Sequence, residues 1–215
     1  MSALGLPLRP GEGAELESLA DFGNLLALRH PPTGEHCRRV GLLAGDLALL
    51  YGLDPGDARS IRLAASVHDI GKLAIPDAVL LKNGPLDATE WEQLRSHPRL
   101  GHDLLATVDS PLFALAALIA LRHHERIDGT GYPDGLTGVE IPLAVRIVAV
   151  ADTFEALIAE RSYRDPISAT EAIEVMREEP GTHLDPHLVE LFARGSDGGA
   201  GEWPARSITS FFGEA

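Results

Sequence analysis

Apolar positions recur along this chain at steps of three and four, the period of an amphipathic helix, and no stretch alternates with the period of two that marks a strand. After a leader over residues 1–13 rich in Pro and Gly, Leu16, Leu19, Ala20 and Ala27 predict a helix over 14–28, which Pro31 and Pro32 are expected to stop. Thr33 is placed to cap a second helix running to about Tyr51, with the stripe Val40, Leu43, Leu47 and Leu50. Asp54 and Pro55 open a third, whose inward face is Ile61, Ala64 and Ala65. Ile70, Gly71 and Lys72 lead into a loop holding Pro76 and the turn Asn83-Gly84-Pro85. Thr89 and Glu92 read as the capping box of a helix that carries Trp91 and Leu94 and ends near His97-Pro98, and residues 99–108 as a further helical stretch. Pro111 opens an apolar helix through Leu112, Leu115, Ala116 and Ile119, and residues 141–159 form a long one. Ser168 and Glu171 box a helix to about Glu178, and Asp185-Pro186 starts the last, to about Arg194, before a loose Gly-rich tail. The pattern predicts an all-α chain.

Polar residues interrupt these apolar stripes at telling places. His36 lies four residues before Val40, His68 extends the Ile61-Ala64-Ala65 face, His123 lies four beyond Ile119, and Asp152 follows Val148 and Ala149 by one turn. A carboxylate on a buried face is costly unless it is paired or bound to a metal. His123 and His124 leave their helix end about 100° apart, so only something seated between them uses both. With His97 and Asp69 the candidates number seven: His36, His68, Asp69, His97, His123, His124 and Asp152. Nitrogen and carboxylate donors without thiolate suit iron, manganese or similar divalent ions and fit a structural zinc site poorly. Seven ligands suggest two ions sharing Asp69 as a bridge. Such a pair can ionise a bridging water for attack on phosphorus, so phosphoester hydrolysis is the expected chemistry. Lys72, three residues after Asp69, would add an ammonium near the phosphate, and Arg161 and Arg164 could grip a second phosphate or its flank. After the His pair, Asp128, Gly129 and Gly131 turn the chain out of helix into a loop bearing Tyr132 and Pro133.

Composition narrows the class. The 215 residues suffice for one sizeable core, and aromatics at 5% leave that core to Leu, Ala, Ile and Val. A net charge of -14 argues against a surface for nucleic-acid polymers or anionic lipid. Cys37 is the single cysteine, so no internal disulfide forms, and the cytoplasm is the expected compartment. No apolar run nears the ~18 residues of a membrane span, and Glu12, Glu15 and Glu17 stand where a signal peptide would be apolar.

The segments HDIGK at 68–72, HHERIDGTGYP at 123–133, ADTFEAL at 151–157 and RSYR at 161–164 resemble the HD-GYP family, over about residues 30–194. The resemblance implies an HD-fold helical bundle with additional C-terminal helices, a two- or three-metal site that often holds iron, and hydrolysis of cyclic di-GMP to linear pGpG and GMP. It places metal ligands at the seven residues above, phosphate contacts at Lys72, Arg161 and Arg164, and a substrate loop at Asp128, Gly131, Tyr132 and Pro133. Members with a third metal carry Glu one turn before the first histidine; Pro32 stands there, so two ions are expected, iron first with manganese, cobalt or nickel as alternatives. Glu35 lies on the wrong face to substitute. Cys37 follows His36 where Ser is usual and is expected to pack, and Ile127 replaces a frequent Trp beside the base. His30, His102, His183 and His187 are expected at the surface or in caps, with His183 near a family motif that supports the site. Two alternatives stand beside this reading: a phosphohydrolase for another nucleotide or cyclic dinucleotide, and a non-catalytic sensor or adaptor. Residues 1–29 form a leader and helix, 30–194 the catalytic domain and 195–215 a tail. Since 1–30 are too short for a receiver, input is expected from a separate signalling partner or a homodimer, unless the enzyme stands alone.

Overall fold

The computed structural model describes residues 12–159, 167–178 and 183–197. Among them the chain forms helices α1 (Glu12–Arg29), α2 (Pro31–Tyr51), α3 (Pro55–Ala65), α4 (Asp77–Leu80), α5 (Ala88–Leu94), α6 (His97–Leu105), α7 (Pro111–Arg122), α8 (Leu143–Ile158), α9 (Ala169–Glu178) and α10 (Pro186–Asp197), with 3-10 turns at Ile70–Ala74 and Gly138–Glu140. No strand occurs among the described residues beyond an isolated bridge between Asp128 and Thr137. The fold is all-α, as the periodicity predicts, and no described helix is long and apolar enough to cross a membrane.

Helix α2 is the hub, packing on α1, α3, α8 and α10, while α7 joins α3 to α6. Val40, Leu43 and Leu47 of α2 meet Ile61 of α3, Ile119 of α7, Val148 and Phe154 of α8 and Phe192 of α10 in one buried cluster. Leu19 and Leu26 bring α1 into that same core. The candidate ligands ride on these helices, so their positions are set by the packing of aliphatic side chains several residues away.

Several boundaries differ from expectation for identifiable reasons. Pro31 and Pro32 begin α2 instead of ending α1, because the first turn has no use for their missing N–H groups. The cap is then His30, whose Nδ1 accepts from the Thr33 amide at 3.3 Å, and Thr33 falls inside the helix. Asp87 and Glu90, not Thr89 and Glu92, form the capping box of α5, since an Asp two residues upstream caps equally well. That helix stops at Leu94, and His97 opens α6 with Pro98 in its first turn. Leu50, assigned to the inward stripe of α2, is exposed by 44%, and Trp91 of α5 by 51%. The stretch after Asp69, expected as loop, instead makes a 3-10 turn and the short α4. Ser168 and Glu171 form their expected box, with the Glu171 amide donating to Ser168 Oγ at 3.2 Å and the Ser168 amide to Glu171 Oε2 at 2.9 Å.

One glycine decides how closely α6 approaches. A Cβ on Gly71 would lie 1.9 Å from the His97 carbonyl oxygen and 2.6 Å from the Gly101 amide nitrogen. Only a bare Cα lets the 3-10 turn settle onto the start of α6, which brings His97 beside Asp69.

Candidate metal centre and adjoining pocket

Five elements converge on one place. His36 projects from α2, His68 and Asp69 follow α3, His97 opens α6, His123 caps α7 with His124 next, and Asp152 lies on α8. His97, His123 and His124 present ligand atoms within 4.8 Å of one another, and so do His36, His68 and Asp69. Asp69 lies between the groups: its Oδ1 is 3.2 Å from His97 Nε2 and 3.7 Å from His123 Nε2, and its Oδ2 is 3.7 Å from His68 Nε2. Asp152 Oδ1 is 3.0 Å from His36 Nε2 and 3.8 Å from His68 Nε2.

The imidazoles are clamped from behind. Nδ1 of His68 bonds the Ala65 carbonyl at 2.8 Å, that of His97 the Leu94 carbonyl at 2.7 Å, and that of His123 the Ala120 carbonyl at 2.9 Å. A carbonyl only accepts, so each Nδ1 carries a proton and each Nε2 points into the site; burial opposes charge on His68, but Cys37 and Asp69 outweigh it and raise its pKa to about 9. His97 Nε2 and His123 Nε2 nevertheless approach to 3.2 Å. Two lone pairs at that distance repel unless a cation lies against them. A proton on His97 Nε2 would serve either His123 or Asp69; only a metal ion would serve His97, His123, His124 and Asp69 together, so the residues present fit a divalent cation.

Electrostatics separate the two groups. Burial, then the charge of neighbouring His124, holds His123 well below its usual range, and burial with His97 lowers His124 to about 4. Burial disfavours the His36 imidazolium too, but hydrogen bonds to Asp152 and Glu155 outweigh it and hold its pKa at about 10. Those partners would remain to hold a cation in the proton's place.

Lys72 Nζ sits 2.6 Å from Asp69 Oδ2, directly at the cluster. Beyond it opens a cavity of about 370 Å³ walled by Arg95, His124, Gly131, Tyr132, Asp152 and His183, within the ~300–1,000 Å³ usual for small-molecule sites. Tyr132 stacks on His124 at 4.7 Å with the rings 25° apart. Gly131 has no room for a side chain, since a Cβ would meet the Arg126 amide nitrogen at 2.4 Å. Asp128 turns back on its own loop, accepting from the Thr130 amide at 2.9 Å and pairing with Arg126 at 2.9 Å, and Pro133 follows Tyr132 outside the cavity wall. Arg161 and Arg164 lie outside the described residues. Cys37 is fully buried. His183 lines the cavity, and its carbonyl accepts from the Ile127 amide at 3.2 Å, while His102 and His187 stay at the periphery.

Four residues absent from the sequence-derived set complete the site. Glu155, 1% exposed, bonds His36 Nδ1 and the Arg39 guanidinium. Glu155 follows Asp152, and Arg39 follows His36, by one helical turn, which was the available signal. Glu125, also buried, accepts the amides of Asp134 at 2.7 Å and Leu136 at 2.9 Å and so fixes the loop. Arg95 lies over Tyr132, 5.1 Å from the ring centre. No spacing along the chain announces either of these.

A model of the HD domain family matches residues 22–188. The chain is 42% identical over 184 residues to the cyclic di-GMP phosphodiesterase response regulator RpfG of Xanthomonas campestris, covering 86% of this chain and 49% of that protein. It is 43% identical over 175 residues to 3'3'-cGAMP-specific phosphodiesterase 2 of Vibrio cholerae, covering 81% and 34%. It spans about half or less of the length of these relatives. Among solved structures, the cyclic GMP-AMP specific phosphodiesterase V-cGAP3 of V. cholerae superposes with a TM-score of 0.62 at 18% identity, covering 90% of this chain and 53% of that one. The HD-GYP-type protein Bd1817 of Bdellovibrio bacteriovorus gives 0.60 at 22%, covering 74% and 50%. These likenesses show the fold.

Proposed function

Because this chain belongs to the HD domain family, and its motifs are those of the HD-GYP type, we propose that it is a metal-dependent phosphodiesterase that opens cyclic dinucleotides, cyclic di-GMP first among them. The observation that carries this reading is the 3.2 Å approach of His97 and His123 through nitrogens whose rings are clamped from behind, with Asp69 held between two ligand groups beside a cavity. Bound divalent cations, iron or else manganese, cobalt or nickel, would supply an ionised water and neutralise charge growing on phosphoryl oxygens. His97, His123 and His124 would hold one ion, and His36, His68 and Asp152 the other, with Asp69 offering an oxygen to each. Lys72 steadies Asp69 and presents its ammonium to the phosphate. Tyr132 and Gly131 wall the space where the nucleotide sits, and the resemblance gives Arg161 and Arg164 the second phosphate. Residues 30–194 make up the catalytic unit, acting in the cytoplasm.

The test is to purify the protein without oxygen, load it with iron or manganese, and follow linear dinucleotide and GMP chromatographically from cyclic di-GMP and from 3'3'-cGAMP. Turnover of cyclic di-GMP that disappears on chelation and in Asp69→Ala is the expected result. Preference for 3'3'-cGAMP, the substrate named for several V. cholerae relatives, would overturn the choice of cyclic di-GMP. Binding without turnover would make the protein a sensor.

A further inference from the structure

Arg95 is the C-terminal cap of α5, exposed, with its guanidinium over the Tyr132 ring on the cavity wall. Other cations nearby are already engaged: Arg126 pairs with Asp128, and Arg122 with Asp134. No carboxylate among the described residues pairs with Arg95. Its charge is therefore open toward the cavity in a protein whose net charge is -14. The position is also anchored to the metal centre, because two ring-scale contacts, 5.1 Å to Tyr132 and 4.7 Å from Tyr132 to His124, connect the guanidinium to a ligand imidazole.

We infer that Arg95 binds the second phosphodiester of the substrate, the one not being cleaved, alongside the Arg161 and Arg164 that the resemblance gives to that phosphate. The inference rests on the reading of the site given above. A cyclic dinucleotide carries two phosphodiesters, and the metal centre can take only one of them. The other is an anion that must leave water, and a planar guanidinium matches two phosphoryl oxygens at once. Resting on an aromatic face, Arg95 loses less freedom on forming those bonds than a mobile side chain would. Arg95 is thus a binding residue that sets affinity for two-phosphate ligands, and it takes no part in bond cleavage.

The test uses the full chain, metal-loaded, with Arg95→Ala and Arg95→Lys, on two probes: cyclic di-GMP, with two phosphodiesters, and bis(p-nitrophenyl) phosphate, with one. For Arg95→Ala the expected KM for cyclic di-GMP rises roughly 10- to 100-fold with kcat within about twofold, and the lysine variant falls between. The loss on bis(p-nitrophenyl) phosphate, which has no second phosphodiester, is several-fold smaller than that on cyclic di-GMP, and the rise in KM is the same for 3'3'-cGAMP. An equal loss on both probes would overturn the inference and make Arg95 a prop for Tyr132 and His124. A loss confined to guanine-rich substrate would overturn it in favour of a base contact, and no change on either probe would leave Arg95 a solvated charge. Wild-type cleavage of bis(p-nitrophenyl) phosphate with no binding of any cyclic dinucleotide would sink the cyclic-dinucleotide reading itself, and this inference with it.

Discussion

Replacing Gly71 by Ala tests whether the approach of α6 to the 3-10 turn builds the proposed metal centre. The new Cβ would lie 1.9 Å from the His97 carbonyl oxygen, 2.6 Å from the Gly101 nitrogen and 2.8 Å from the His97 carbonyl carbon, all backbone atoms. Ordinary contact begins near 3.4 Å, so α6 must withdraw by more than an ångström, and no side chain can yield in its place. Overpacking a core costs ~1–3 kcal/mol, and a clash with fixed backbone belongs at or above the top of that range. At about 3 kcal/mol, a chain of this size should lose roughly 6–12 °C in Tm. The withdrawal also opens the 3.2 Å contact between His97 and Asp69, so metal affinity should fall by roughly 10- to 100-fold, as when the support of a ligand is lost. Gly101→Ala is the matched control. Its Cβ meets the Gly71 nitrogen at 3.1 Å, Ile70 Cγ2 at 3.3 Å and Ala120 Cβ at 3.4 Å. That tightness is offset by up to ~1 kcal/mol of helix propensity within α6. Thermal unfolding and metal titration of both variants decide the matter. Equal stability of the two, or a Gly71→Ala protein that binds metal like wild type, would refute the reasoning.

Glu155→Gln should destabilise the protein by about 1–2 kcal/mol, because a neutral amide replaces the charged acceptor shared by His36 and Arg39 while Arg39 keeps Glu35; denaturant unfolding measures this, and metal analysis should show the ion on the His36 side depleted. Glu125→Ala strips the acceptors from two partly buried loop amides, at about 1 kcal/mol each, so limited proteolysis within residues 128–136 should be faster than in the wild type. Burial, against the pull of Arg62, holds the Asp46 carboxyl above its usual range. A carboxyl whose folded pKa is raised contributes stability that is full below its unfolded pKa and is lost as pH rises through the folded value. Asp46→Asn should therefore gain on wild type as pH rises through that window, and a Tm difference that stays flat with pH would count against it.

The convergence of the proposed ligands was legible in sequence because a helix turns a spacing into a direction. His36, His68, His123 and Asp152 each continue an apolar stripe, so the period that predicts the core also aims them at it. Helix ends were less legible, since Pro31 and Asp87 satisfy the rules for stopping and for starting at neighbouring positions, and only tertiary packing chooses. The exposure of Trp91 follows from packing too: α5 contributes no buried residue, so its apolar side has nothing to face.

What the sequence hid was the layer behind the ligands. Three histidines are oriented by carbonyls of Ala65, Leu94 and Ala120, atoms that every residue possesses and no motif can record. His36 faces no such carbonyl at a helix end; it projects from the interior of α2, where the backbone carbonyls are occupied by the helix itself. An acceptor therefore had to come from another element, and Glu155 of α8 provides it, held in turn by Arg39. The requirement is general: a ligand histidine inside a helix needs a side chain behind it, whereas one at a helix end can use backbone. That difference makes Glu155 and Arg39 the substitutions to which the His36 side of the centre should be most sensitive, while the His97 and His123 side depends on glycine and on where the helices stop.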